Sequence, residues 1–330
     1  MKEILNYLFK HNTLTQEESR ALLKRMGQGE FSEPEIASFL TVFLMRKITP
    51  EELGGFREAL LDLCVPVDLN GLNAIDVCGT GGDEKNTFNI STLTSFILAG
   101  AGVKVVKHGN YGVSSSCGSS NVLEHFGYKF SNNQNKLQKE LDKANICYLH
   151  APFFHPAMKH VGPVRKALKV KTFFNLLGPM VNPVKPKNQI VGVYNTEVQD
   201  LYNEVYKKLG INYCILYSLD GYDEISLTGD FRTLSNKGEK IYSPETINLK
   251  TVKPEDLFGG NSVEEAAAIF TNVLEAKATE AQTNAVLANA AFAFKTMDNS
   301  KSLEDCVAVA RESIESKKAL NVLKELIAIQ

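Results

Sequence analysis

The stretch IDVCGTGGDEKNTFNIST, Ile75–Thr92, sets Gly79, Gly81 and Gly82 directly after an apolar run and follows them with Asp83, Thr87, Asn89, Ser91 and Thr92. Glycines so placed let backbone N–H groups approach a ligand closely, and the hydroxyl and amide side chains add donors. A strand ending at Cys78 and a helix beginning near Ser91 would put those donors where open α/β sheets bind ligands, at a helix N-terminus that favours phosphate. The loop is neither a Walker A motif, since G-K-[ST] is missing, nor a G-x-G-x-x-G fingerprint. A second segment, KHGNYGVSSSCGSS at Lys107–Ser120, repeats the arrangement with a lysine at a strand end, Gly109, Gly112 and Gly118, and a run of serines. Either segment alone reads equally well as a tight turn; two on adjacent strands read as one polyanion cradle.

The adjacent carboxylates Asp223 and Glu224, in DGYDEISLTG, follow the apolar run YCILYSL. Neighbours on a regular strand point to opposite faces, so both serve one region only from a turn, or by each contacting a different ion. Hard oxygen ligands beside a phosphate cradle suit magnesium, which keeps several waters and leans on substrate phosphates. In HAPFFHPAMKHVGPVRKAL, Arg165 offers a guanidinium fork suited to a carboxylate, with Phe153, Phe154, His155, Pro156 and Met158 nearby for an aromatic ring. His150, His155 and His160 are five apart, which is poor spacing for one helical face, and no cysteine joins them, so zinc is not expected.

These loops need a scaffold of strands and helices. Three S/T-x-x-E boxes, at Thr15, Ser32 and Thr49, each precede apolar periodicity and predict a bundle of about four short helices ending near Cys64. Beyond it, NAIDVC, VKVVK, NICYLHA, QIVGVYN and YCILYSL read as strands. STLTSFILAGAG, SSNVLEHFG, HPAMKHVGPVRKAL and VQDLYNEVYKKLG read as the helices between them. Such alternation implies an α/β fold with a mostly parallel sheet flanked by helices, behind a small all-α N-terminal domain. DFRTLSNKGEKIYSPE reads as irregular or antiparallel, and the chain from Ser262 onward as helices capped at Ser262, Thr279 and Ser302.

The 330 residues carry a net charge of −2, are 44% hydrophobic, and contain no apolar run long enough to cross a bilayer. The N-terminus is too polar for a signal peptide, and six cysteines without a C-x-x-C pair fit reduced thiols in a cytoplasm. Between Lys85 and Lys187 there are 14 Lys and Arg against Glu124, Glu140 and Asp142, a local balance of +11 inside an otherwise acidic chain. A basic middle suits an anion site, and the acidic flanks argue against a wholly basic nucleic-acid-binding domain.

GTGGD at Gly79–Asp83, NIST at Asn89–Thr92, KHGN at Lys107–Asn110, HPAMKHVGPVR at His155–Arg165, FNLLGPMVNP at Phe174–Pro183 and DGYDE at Asp220–Glu224 together resemble the motifs of the anthranilate phosphoribosyltransferases, in that family's order. The resemblance implies a nucleoside phosphorylase/phosphoribosyltransferase-like fold. Its helical domain would span residues 1–66 and form the interface of a homodimer, and its α/β catalytic domain residues 67–330, with the 160–190 region lending helices to the first. It implies transfer of the phosphoribosyl group of phosphoribosyl pyrophosphate (PRPP) to the amine of anthranilate, with release of pyrophosphate, in tryptophan biosynthesis. By matching position, Gly79, Gly82, Asp83, Thr87, Asn89, Ile90, Ser91 and Thr92 would bind PRPP, with Lys107, His108, Gly109, Asn110, Tyr111, Gly112, Val113, Ser114, Ser115 and Ser119. Ser91, Asp223 and Glu224 would hold two magnesium ions per subunit. Gly79, Asn110 and Arg165 would contact anthranilate, with His108, His155 and Pro179 lining its access route. Lys107, Asp223 and Glu224 would carry catalysis by absorbing charge on the leaving group. Tyr111, Glu84, Asn121 and Lys171 depart from the family's usual Arg, Gly, Asp and Arg. The partners implied are the two substrates and a second copy of the chain, with neither nucleic acid nor membrane. A pyrimidine nucleoside phosphorylase and a non-catalytic nucleic-acid-binding relative of the fold remain open as alternatives.

Overall fold

Thr15 Oγ1 accepts from Glu18 N at 3.2 Å while the Glu18 carboxylate accepts from Thr15 N at 2.8 Å, and Thr49 with Glu52 makes the same exchange. At Ser32 the Glu35 carboxylate takes both the N–H and the hydroxyl. Behind α1 (Lys2–Leu8), these caps start α2 (Gln16–Gly27), α3 (Glu33–Met45) and α4 (Pro50–Asp62), with Pro34 and Pro50 in first turns where no N–H is missed. The computed structural model describes residues 1–69, 71–112 and 116–330. It forms two compact units, Met1–Val67 with Ala151–Lys185, and Asp68–His150 with Pro186–Gln330.

The first unit therefore joins two stretches of chain, 1–67 and 151–185, where the expectation is 1–66 with helices lent from the 160–190 region. The segment HPAMKHVGPVRKAL, read as one helix of the strand–helix alternation, belongs to the helical unit and forms α9 (Met158–Leu168), between α8 (Ala151–Phe154) and α10 (Phe174–Leu177). Aromatic packing is the reason. Phe173 stacks on Phe56 at 4.5 Å and meets Phe39 and Phe43 edge-on at 6.0 and 5.0 Å. Periodicity shows that such a helix has an apolar face, not which unit covers it.

In the second unit seven strands run in the order β3-β2-β1-β4-β5-β6-β7. They are β1 (Ala74–Gly79), β2 (Lys104–Gly109), β3 (Ile146–His150), β4 (Asn188–Gly192), β5 (Asn212–Ser218), β6 (Phe231–Ser235) and β7 (Gly238–Tyr242). The first five are mutually parallel; β6 and β7 add an antiparallel hairpin from DFRTLSNKGEKIY. β3 and β4 are buried without alternation, as parallel strands covered on both faces must be. The helices are α5 (Ile90–Gly100), α6 (Ser119–His125), α7 (Gln134–Ala144), α11 (Thr196–Tyr206), α12 (Val263–Leu274), α13 (Glu280–Met297), α14 (Leu303–Glu315) and α15 (Lys318–Ala328). The sequence reading lacks α7, whose inward residues are only Leu137, Glu140, Leu141 and Ala144 in an otherwise polar run. Successive crossovers leave β1 toward β2 on one side and reach β4 on the other, so the order reverses between β1 and β4. Among the described residues no helix is long and apolar enough to cross a membrane.

Two buried polar side chains brace this frame. Asn289, in the apolar α13, accepts from Ile225 N at 3.1 Å and donates to Ile225 O at 2.9 Å, fixing the backbone just past Glu224. Glu140, on α7, lies 2.9 and 3.0 Å from the Tyr128 hydroxyl and 3.7 Å from Lys136 Nζ. Burial pushes its carboxyl up to about 7, against the opposing pull of Tyr128 and Lys136.

The folded chain thus keeps a proton on Glu140 that the unfolded chain loses near 4.5. This contribution to stability is present below 4.5 and is lost as pH rises through 7, on the order of 3 kcal/mol in all. Urea unfolding of Glu140→Gln should show a flatter stability–pH profile than the parent between pH 4.5 and 8. Asn289→Ala leaves a buried N–H and C=O unmatched and should cost about 3 kcal/mol by the same measurement.

Candidate active site

Gly79 ends β1 and pairs in register with Gly192, which ends β4. The turn after β5 brings Asp223 down onto both. A β-carbon on Gly79 would stand 2.5 Å from Asp223 Oδ2, and one on Gly192 would stand 1.5 Å from the Asp223 carbonyl oxygen. At Gly192 only glycine leaves room for the backbone of the turn, and at Gly79 a β-carbon would displace the Asp223 carboxylate. Asp223 Oδ2 in return accepts from Gly81 N at 2.6 Å, in a loop where Gly81 and Gly82 have φ of +66° and +84°. Glu224 reaches the other way, its Oε1 accepting from Ser91 N at 3.2 Å in the first turn of α5. The two neighbours point apart yet serve one region, because they sit in a turn and span from the glycine loop to the helix start.

Asp83 joins them. Its Oδ1 accepts from Lys85 N at 3.2 Å, and its carboxyl also meets that of Asp223. Burial, then the charges of Asp83 and Glu224, push the Asp223 carboxyl well above the usual range. Burial pushes Glu224 up to about 7, with Lys107 opposing and Asp83 adding to the shift. Crowded carboxylates of this kind favour a bound cation over water. Among the described residues no three His, Cys, Asp or Glu side chains are grouped as a metal-ligand set.

Lys107 does not project from its strand end. It is buried, with Nζ donating to Val77 O at 2.6 Å; burial lowers its pKa, and Asp76, Cys78 and Glu224 oppose that shift. Asp76, fully buried in β1, accepts from His108 N at 3.2 Å and from Gln189 Nε2 at 3.2 Å. The sequence reading passed over Asp76, although a lone acid within an apolar strand is a visible signal. Asn89 precedes α5 without a side-chain capping bond and instead donates to Cys117 O at 3.0 Å, with Ile90 and Thr92 buried behind it. Thr87 bridges to Phe258, and Asn86 Nδ2 donates to Gly260 O at 3.0 Å, holding the far end of the glycine loop. Glu84 takes φ +62°, a left-handed conformation that glycine adopts more easily.

The second loop starts at Gly109. Asn110 O accepts from Ser120 N at 3.1 Å and from Ser119 Oγ at 3.3 Å, and Asn110 Oδ1 accepts from Tyr111 N at 2.8 Å. Asn121 Oδ1 accepts from both Gly112 N and Gly118 N at 3.0 Å, tying the two ends of the loop together. Val113, Ser114 and Ser115 lie outside the described residues. Tyr111 is partly exposed, its ring edge-on to His150 at 4.9 Å and its hydroxyl donating to Glu124 Oε1 at 3.4 Å.

In the helical unit, Arg165 is partly buried, its guanidinium 5.3 Å from the Phe174 ring centre and donating to Asn175 Oδ1 at 3.3 Å. His155 and Pro179 are both buried there, and burial pushes the His155 imidazole down to about 4, so it is neutral at pH 7.

Residues 71–320 match the family model of the glycosyl transferase family, a/b domain, and residues 2–64 that of the helical bundle domain. The chain is 55% identical to the anthranilate phosphoribosyltransferase of Flavobacterium psychrophilum over 99% of its length and 98% of the relative's. It is 53% identical to that of Phocaeicola vulgatus over 100% and 99%. Its backbone superposes on the Thermus thermophilus anthranilate phosphoribosyltransferase with a TM-score of 0.93 at 32% identity, covering 98% of each chain. The Saccharomyces cerevisiae enzyme in complex with PRPP and Mg gives 0.92 at 26% identity, covering 98% of this chain and 96% of that one. Sequence agreement and backbone superposition along the whole length lead to one assignment: the chain belongs to the anthranilate phosphoribosyltransferase family.

Proposed function

We propose that this chain transfers the phosphoribosyl group of PRPP to the amine of anthranilate, giving N-(5-phosphoribosyl)anthranilate and pyrophosphate, a step of tryptophan biosynthesis. The observation that carries this reading is the Asp223–Glu224 turn, seated on the glycine loop at the strand switch point. Relatives crystallised with PRPP and Mg, and with 4-fluoroanthranilate, have the same fold.

As the bond from C1 to pyrophosphate lengthens, positive charge grows on the sugar and negative charge on the leaving group, so alignment and charge stabilisation outweigh any need for a strong base. Gly79, Gly82, Asp83, Thr87 and Asn89–Thr92 would hold PRPP by backbone and side-chain groups, together with Lys107–Gly112 and Ser119. Ser91, Asp223 and Glu224 would hold two magnesium ions. Magnesium supplies Lewis acidity at the phosphate oxygens. The crowding of Asp83, Asp223 and Glu224 suits a site that would hold cations. Lys107, held on Val77 O, would keep Glu224 ionised for that task. Arg165 would take the anthranilate carboxylate and, with Gly79 and Asn110, orient the ring. An aromatic amine is already unprotonated at pH 7, so no side chain need activate it. The chain would work in the cytoplasm as a homodimer joined through its helical unit, where Phe9, Leu44, Met45 and Phe153 leave apolar surface exposed.

Loss of anthranilate fluorescence with PRPP, with and without magnesium, tests the reaction. Phosphorolysis of thymidine with no PRPP turnover would overturn it. Asp223→Asn with Glu224→Gln should lower kcat at least about a hundredfold and abolish the magnesium response. Arg165→Ala should raise KM for anthranilate about tenfold or more, with little change in KM for PRPP.

A further inference from the structure

Behind the second loop lies a row of polar groups of which the reaction as described uses only the last, Ser119. His150 Nδ1 is 2.9 Å from Ser120 Oγ, Ser120 Oγ is 2.9 Å from Tyr148 Oη, and Tyr148 Oη is 2.7 Å from Ser119 Oγ. Ser120, Tyr148 and His150 are buried; Ser119, at the end of the row, is partly exposed beside Asn110 O. The imidazole plane is set by Phe130, stacked on it at 4.3 Å, and by the edge of Tyr111. Burial holds the Tyr148 phenol protonated.

Each hydroxyl in this row has one proton to give, so the row has two senses. With a proton on His150 Nδ1, the imidazole donates to Ser120, Ser120 to Tyr148 and Tyr148 to Ser119. The Ser119 proton is then left to point away from the row. In the opposite sense Ser119 spends its proton on Tyr148 and has only lone pairs to offer a ligand. The outward sense leaves Ser119 with the 3.3 Å contact to Asn110 O, a long bond that a phosphate oxyanion readily replaces with a shorter, charge-assisted one. Donors in series also polarise one another.

The geometry points to His150, Ser120 and Tyr148 as positioning residues that hold the Ser119 hydroxyl as a donor toward a phosphate oxygen of PRPP. This rests on the proposed role of Ser119 at PRPP. Tyr148 acts through Ser119, so the two are energetically coupled, and the effect falls on PRPP binding rather than on chemistry.

The test is steady-state kinetics on the full chain for Tyr148→Phe, Ser119→Ala and the double variant. Each single variant should raise KM for PRPP about tenfold, with kcat and KM for anthranilate within about twofold. The double variant should be no worse than either single one. His150→Phe, which keeps the stack on Phe130, should raise KM for PRPP in the same direction, and decides the matter if Tyr148→Phe does not fold. Multiplying effects in the double variant, or an unchanged KM for PRPP in Tyr148→Phe beside a raised one in Ser119→Ala, overturn the relay and leave the PRPP role of the loop standing. An unchanged KM for PRPP in Ser119→Ala removes that role for Ser119 and the relay with it.

Discussion

The contact between the Asp223 carboxylate and Gly81 N–H, 2.6 Å across the ends of β1 and β4, organises the catalytic unit's loops. It forms because both strands end in residues without a β-carbon, so that the acidic turn can descend onto the sheet edge. The same descent carries Glu224 to the start of α5. A glycine-rich loop is often explained by what it offers a ligand. Here part of the requirement is internal, since the loop must also admit a carboxylate from a distant part of the chain.

That admission is unfavourable for the folded chain alone. Asp83, Asp223 and Glu224 are crowded together, and burial raises the latter two carboxyls above their ordinary range. Lys107, the buried ammonium nearby, already donates to Val77 O and shares its charge between Asp76 and Glu224. Sites built for function commonly hold such unfavourable charge, stabilised by rigid surroundings. Asn289 provides one such support, clamping the backbone of Ile225 from the interior of α13.

Three of the four departures from the family pattern find separate physical accounts; nothing in the structure explains Lys171. Asn121 supplies through its amide oxygen the acceptor that two loop N–H groups require, and no charge is needed for that. Tyr111 exchanges a cation for an aromatic edge against His150, which ties the loop base to the polar row beneath it. Glu84 occupies a left-handed backbone position that a glycine would take with less strain.

Capping boxes, the strand–helix alternation and the two glycine–hydroxyl loops were legible in the sequence because each is a local pattern, dictated by hydrogen-bond needs within a few residues or by periodic burial. The pairing of Asp223 with Glu224 was legible as chemistry but not as geometry. What seats it is a steric vacancy at Gly79 and Gly192, more than a hundred positions apart in sequence. Tertiary structure alone decided which aromatic side chains bind residues 151–185 into the helical unit, that Lys107 faces inward and that Tyr148 grips Ser119. Each depends on which distant surface covers a side chain, and a periodic pattern records that a face is covered without recording by what.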